Sequence, residues 1–154
     1  MTVPVHAAVV AALTGTTGRP VAIQHRRPLA GGSINRTERL ETSAGSFVLK
    51  SNDDAPPDFF EAEADGLRAL AGSGTCLVIP SVFALGDRQS PFLLLQDLGD
   101  GKPVDDFDER LGRGLAALHR HHGAAFGFTR DNFCGLTPQS NRWTPGWVEF
   151  YATA

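Results

Sequence analysis

Apolar positions recur every four residues in the first stretch of the chain. Val5, Val9 and Leu13 fall on one face within the run from Val3 to Leu13, which predicts a helix stopped at Thr14-Gly15. The spacing then changes to that of strands. Val21 and Ile23 alternate against Ala22 and Gln24 in a first strand from Pro20 to Leu29, and Asn35 to Thr42 reads as a second. Ser43-Ala44-Gly45 makes a short hairpin into a third, Phe47 to Ser51, so the three form an antiparallel meander whose first turn is rich in glycine. After the polar, proline-rich connector Asp53 to Pro57, Asp58 and Glu61 have the spacing of a capping box. The helix they open carries Phe60, Glu63, Leu67 and Leu70 on one stripe and ends at Gly72-Ser73-Gly74. Leu77 to Leu85 predicts a fourth strand. Pro91 to Leu95 is an unbroken apolar run, as expected of a strand buried on both faces. Asp105 and Asp106 are placed to cap a further helix with Leu111, Leu115 and Leu118 on its stripe, and Thr144-Pro145 opens a last one with Trp147, Phe150 and Tyr151 on one face. The pattern as a whole predicts an α+β fold with five strands, the first three an antiparallel meander.

Composition narrows the class of partner. A chain of 154 residues is long enough to bury roughly 68–70% of its extended surface. A net charge of −3 without a lysine or arginine run argues against nucleic acid or an anionic membrane as the main partner. The apolar run at the N-terminus is too short to span a bilayer and has no basic residue before it. Cys76 and Cys134 lack metal-ligand spacing and read as buried free thiols, which suits a reducing, cytoplasmic setting.

Three features carry candidate chemistry. Two of the fourteen basic residues are lysines, and one of them, Lys50, follows Phe47-Val48-Leu49 where a strand would not ordinarily place a charge. A chain that otherwise favours arginine has a compact, rotatable ammonium here. Upstream, Gly31-Gly32-Ser33 can present backbone N–H groups to an anion, although the same residues also suit a plain hairpin turn. Downstream, Glu63 interrupts an apolar stripe, either as a boundary residue with its head in water or as an ion-pair partner that orients Lys50; Glu61 competes for that role from another face. The polar segment Gln96 to Gly101, after the most apolar strand, fits a hinge whose free backbone groups could meet a purine edge, and it equally fits an ordinary loop. Gly112 and Gly114 cost the helix roughly 1 kcal/mol each relative to alanine unless another backbone packs against them. Three histidines in His119-Arg120-His121-His122 cannot converge on one point of a helix, so His119 is expected to pack and its neighbours to be solvated. The aromatic, amide-rich stretch after Gly123 suits a loop folded near a polar ligand or one that covers the helix.

Taken together, Gly31 to Asn35, Phe47 to Lys50 with Asn52, Phe60 to Leu67, Leu118-His119, Phe126-Gly127-Phe128, Gly135 to Asn141 and Trp147 to Tyr151 resemble the fructosamine (ketosamine-3-) kinase family. That family shares the protein-kinase-like fold with the aminoglycoside phosphotransferases, and Thr137-Pro138-Gln139-Ser140-Asn141 is the most specific part of the match. A five-stranded antiparallel sheet comes with that resemblance. The resemblance implies that Gly31, Gly32 and Ser33 cover the phosphates of ATP, that Lys50 contacts the α- and β-phosphates, that Glu63 pairs with Lys50, and that Gln96, Asp97 and Leu98 hold adenine through the backbone. It implies transfer of the γ-phosphoryl, with Mg²⁺, to a sugar hydroxyl of a ketosamine or glycated protein, an adduct that then breaks down to free the amine. The family's His-Gly-Asp loop and metal-binding aspartate have no counterpart here. The expected organisation is therefore a nucleotide-binding lobe over residues 1–98, then a hinge and the start of a helical lobe over 99–154. No catalytic or metal residue is assigned, the chain alone is expected to be inactive, and its uncovered apolar face implies self-association. A non-catalytic nucleotide-binding or interaction fragment is the competing class.

Overall fold

The structure, a computed structural model, describes residues 4–153 apart from Ser33 and Pro103. In chain order it comprises α1 (Val5–Thr17), β1 (Ile23–Pro28), β2 (Arg36–Thr42), β3 (Gly45–Ser51), α2 (Phe59–Ala71), β4 (Val82–Leu85), β5 (Phe92–Gln96), α3 (Phe107–His119), β6 (Asn132–Cys134), β7 (Thr137–Gln139) and α4 (Trp147–Thr153). The first five strands form one antiparallel sheet in the order β1-β2-β3-β5-β4. The apolar run of β5 serves two cores at once. Phe92 and Leu94 join Leu40, Phe47 and Leu49 beneath Val9 and Leu13 of α1, whereas Leu93 and Leu95 meet Phe59, Phe60 and Ala64 of α2. The two helices thus cover opposite faces of the sheet, because side chains alternate along each strand.

Several local expectations are corrected. α1 runs past Thr14-Gly15, since a glycine is tolerated inside a helix; it ends where Gly18 turns left-handed (φ 66°) and donates its N–H to the Thr14 carbonyl at 2.9 Å. Asp58 is the N-cap of α2, but its backbone is left-handed (φ 63°) and its carboxylate makes no capping hydrogen bond, so the Asp58/Glu61 capping box does not form. Capping needs an extended backbone that aims the side chain back at the first turn. Asp106 precedes α3 without capping it either, because its Oδ2 accepts from Arg110 Nε at 2.7 Å. The fourth strand is confined to Val82–Leu85 at the sheet edge, after Pro80, which has no N–H to give a ladder.

Exposure also differs from expectation at the margins. Leu70, Leu111 and Leu115 are exposed, and the buried point of α3 is Gly114. A Cβ there would lie 2.4 Å from Leu77 Cδ2, and the Gly114 carbonyl accepts from Thr75 Oγ1 at 2.9 Å. A side chain, rather than a second backbone, therefore occupies the space that this glycine leaves; Gly112 has no such neighbour. His119 is exposed, not packed. Both cysteines are free as expected but exposed, Cys76 in the loop before β4 and Cys134 at the end of β6.

Candidate nucleotide site

The turn from β1 to β2 spans residues 29–35. Gly31 and Gly32 adopt φ values of 113° and 82°, which an L side chain rarely adopts, while the space around both is open. Their requirement is therefore conformational rather than steric. Ser33 lies outside the described residues. Asn52, just after β3, donates from Nδ2 to the Ile34 carbonyl and to Asn35 Oδ1, both at 3.4 Å, and so ties the turn to the strand that carries Lys50.

Lys50 pairs across the sheet with Thr37 of β2 and Leu93 of β5, and its side chain emerges on the α2 face. There its Nζ donates to Glu63 Oε1 at 2.5 Å, which resolves the choice between Glu63 and Glu61. The two side chains are 25% and 29% exposed, so the pair adds little to stability and its main effect is to fix where the ammonium points. α2 holds Glu63 in place because Phe60, on the same stripe, is buried in the core beneath it.

The segment after β5 is braced by a residue that the pattern of apolar positions does not single out, Arg39. Gln96 donates its N–H to the Ser81 carbonyl at 2.8 Å, and its Oε1 accepts from the Ser81 N–H at 3.3 Å. Asp97 Oδ1 accepts from the Gly99 N–H at 2.9 Å, while its Oδ2 lies 2.9 Å from Arg39 Nε, an ion-pair contact off the N–H axis. Arg39 also donates from Nη2 to Asp100 Oδ1 at 3.1 Å and from Nη1 to Asp100 Oδ2 at 3.3 Å. Those hydrogen bonds hold the Asp100 carboxyl below its usual range, and they raise Arg39 further above its own. Leu98 is half-exposed, and no hydrogen bond among the described residues uses its backbone N–H or carbonyl.

The stretch after Gly123 folds into a hairpin on α2. Phe133 of β6 packs against Phe59 with ring centroids 5.2 Å apart, and Arg130 Nε meets Asp65 Oδ2 at 2.8 Å. Asn141, buried, donates from Nδ2 to the Arg130 carbonyl at 3.1 Å, and its N–H donates to Asp131 Oδ1 at 2.7 Å. This part of the Thr137 to Asn141 motif thus holds its own loop together.

A cavity of about 740 Å³ opens elsewhere, between the start of α1 and the glycine turn, with His6, Arg26, Glu38 and Asp53 in its lining. Its ionic groups are largely satisfied among themselves: His6 meets Glu38 at 2.9 Å, and Arg36 meets Asp53 at 2.7 Å. Lys50 and Glu63 lie on the opposite face of the sheet. Among the described residues no three histidine, cysteine or carboxylate side chains are grouped to hold a metal ion. No described helix is long and apolar enough to cross a membrane.

A glycine turn between two strands of a five-stranded antiparallel sheet, with a strand lysine paired to a helix glutamate, defines a protein-kinase-like lobe. The fold agrees with two crystal structures, both described as fructosamine-3-kinases. One, from Haemophilus somnus, matches with a TM-score of 0.84 at 27% identity, over 96% of this chain and 50% of that one. The other, from Thermobifida fusca, has a TM-score of 0.73 at 32% identity, over 94% and 50%. The chain belongs to the fructosamine kinase family, whose model matches residues 5–154. Among curated relatives, it is 38% identical over 141 residues to a protein described as a ketoamine kinase from Synechocystis sp., covering 91% of this chain and 48% of the relative. It is 34% identical over 140 residues to a chloroplastic protein-ribulosamine 3-kinase from Arabidopsis thaliana, covering 88% and 42%. The chain thus spans about half the length of the relatives it matches.

Proposed function

We propose that residues 1–98 form the ATP-binding lobe of a ketosamine kinase, and that residues 99–154 supply its hinge and the beginning of its helical lobe. The observation that carries this reading is the Lys50–Glu63 contact of 2.5 Å on the sheet that also carries the glycine turn. Gly31 and Gly32, with Ser33, would shield the phosphates; Lys50, steered by Glu63, would neutralise the α- and β-phosphates; Gln96, Asp97 and Leu98 would meet adenine through their backbone. The reaction of the whole enzyme would be transfer of the γ-phosphoryl to a sugar hydroxyl on a glycated amine, with Mg²⁺ held by residues outside those described, in the cytoplasm.

The 154 residues contain no His-Gly-Asp sequence. Positioning of ATP without a base aspartate supplies only part of what phosphoryl transfer requires. The purified chain given ATP, Mg²⁺ and a fructosyl-amine should therefore show ATP binding by titration and no turnover above the uncatalysed background. Steady phosphorylation of the fructosyl-amine would show that a base is present in this chain after all.

Self-association belongs to the same reading. Phe107, Leu111 and Leu115 on α3 are exposed, as are Trp147 and Tyr151 on α4, whose rings stack at 5.4 Å. Contiguous apolar surface of a few hundred Å² usually seeks a partner. Sedimentation should show a weight-average mass that rises with concentration; a constant monomer mass would remove this part of the proposal.

A further inference from the structure

The ion pairs of Arg39 join two segments that do not neighbour each other in the sheet. β2 leaves the glycine turn, β5 leads into residues 97–100, and β3 lies between them. Arg39 faces Val48 across the β2–β3 ladder, and Val48 faces Leu95 across the β3–β5 ladder, so the three stand in one row on the α2 face. Asp97 follows Leu95 by two residues. Two strand spacings of about 4.8 Å separate β2 from β5, a gap that a long side chain can cross. Arg39 crosses it: its Nε lies 2.9 Å from Asp97 Oδ2, and Nη2 and Nη1 donate to Asp100 Oδ1 and Oδ2 at 3.1 and 3.3 Å. Arg39 and Asp97 are only 14% and 9% exposed, so their contact is shielded, whereas Asp100 is open to water. Arg27, the other cation beside Asp100, stands 3.9 Å away on an exposed side chain and adds little.

Between the two aspartates the chain makes a small closed loop. Asp97 Oδ1 accepts the Gly99 N–H at 2.9 Å, Gly99 turns left-handed (φ 72°), and the one guanidinium holds a carboxylate at each end. Leu98 stands at the tip, half-exposed, with its N–H and carbonyl used by no hydrogen bond among the described residues. We propose that Arg39 is a positioning residue for nucleotide binding: by holding Asp97 and Asp100 together it fixes the Leu98 backbone in the orientation that meets a purine edge. The inference rests on the nucleotide-binding reading above, and it requires no contact between Arg39 and the ligand. Without the guanidinium two carboxylates would be left side by side, one of them largely out of water, and the loop would open to separate them. A base would then have to order the loop as it binds, and affinity would fall by the entropy of that ordering. The phosphates, which this reading assigns to Lys50 and the glycine turn, would keep their share of the affinity.

The test uses the full chain and two independent readouts: backbone amide order parameters of Leu98 and Gly99 without ligand, and titration with ATP and with inorganic tripolyphosphate. In the parent the order parameters should be about 0.85, the value of rigid backbone. Arg39→Met keeps an apolar stem across β3 and removes the fork. The order parameters should then fall below about 0.6, ATP should weaken about tenfold, and tripolyphosphate should stay within about twofold of the parent. Arg39→Lys keeps a cation for Asp97, and so supplies a folded variant if methionine is not tolerated beside that aspartate. Its single ammonium has no second arm for Asp100, and ATP should weaken about threefold with tripolyphosphate again unchanged. Rigid Leu98 and Gly99 in both variants overturn the proposal, as does a loosened loop with parental ATP affinity; in either case a loss of ATP binding in Lys50→Met leaves the nucleotide reading intact. Equal weakening of ATP and tripolyphosphate also overturns it, because a general loss of structure acts on both ligands. A parent chain that binds neither ligand overturns the nucleotide reading and this proposal with it.

Discussion

Lys50→Met should weaken ATP binding by about tenfold to a hundredfold, the range expected when a charge-assisted hydrogen bond of roughly 1.5–3 kcal/mol is lost. Methionine keeps a flexible aliphatic stem of similar reach, so packing against the sheet survives and only the ammonium is removed. Glu63, partly exposed, can take water in place of its partner. The thermal midpoint without nucleotide should accordingly stay close to that of the parent, and calorimetric titration with ATP should separate the two effects. Equal affinity in parent and variant would leave Lys50 without a phosphate role.

Phe60→Ala should destabilise the fold by about 3–5 kcal/mol, the usual cost of removing a buried aromatic ring. Phe60 is 3% exposed and joins the cluster of Phe59, Ala64, Leu93 and Leu95 that holds α2 to the sheet. Its loss also frees the helix that carries Glu63, so ATP affinity should fall even at temperatures where the variant is still folded. Denaturant unfolding measures the first effect and titration at low temperature the second. A variant with parental ATP affinity would show that Glu63 keeps its place without this anchor.

Much of the candidate site is legible in the sequence, because its chemistry lies at residues that break the local pattern. Lys50 ends an apolar strand, Glu63 interrupts an apolar stripe, and Gly31-Gly32 sits between two strands; each departs from what packing alone would select. The convergence of Lys50 and Glu63 at 2.5 Å follows from the alternation of β3 and the turn of α2, both periodic and local. Arg39 escapes a reading of the sequence for the opposite reason. Within β2 it is one polar residue in an alternating strand and looks like any solvated position. Its partners lie some sixty residues further on and meet it only once β3 and β5 pair. Asn52 belongs to the family match, but its grip on the glycine turn likewise depends on the register of the sheet.

Short-range physics accounts for the elements that the residues alone announce. The repeat of Val5, Val9 and Leu13 makes a helix with one apolar face, the run from Phe92 to Leu95 makes a strand that must be covered on both sides, and paired glycines make a turn with positive φ. Whatever rests on contacts between distant segments is settled only when the chain folds. Folding selects Glu63 over Glu61, ends α1 at Gly18, turns the Asp58 backbone left-handed so that its carboxylate cannot cap α2, and makes Gly114 the seat of Leu77. It also brings the motif around Gly135 to Asn141 into a hairpin on α2, through Phe133 against Phe59 and Arg130 against Asp65. Those residues carry no periodic signal, since a three-residue strand is too short to display one, and their position comes from the surface they find when the chain closes on itself.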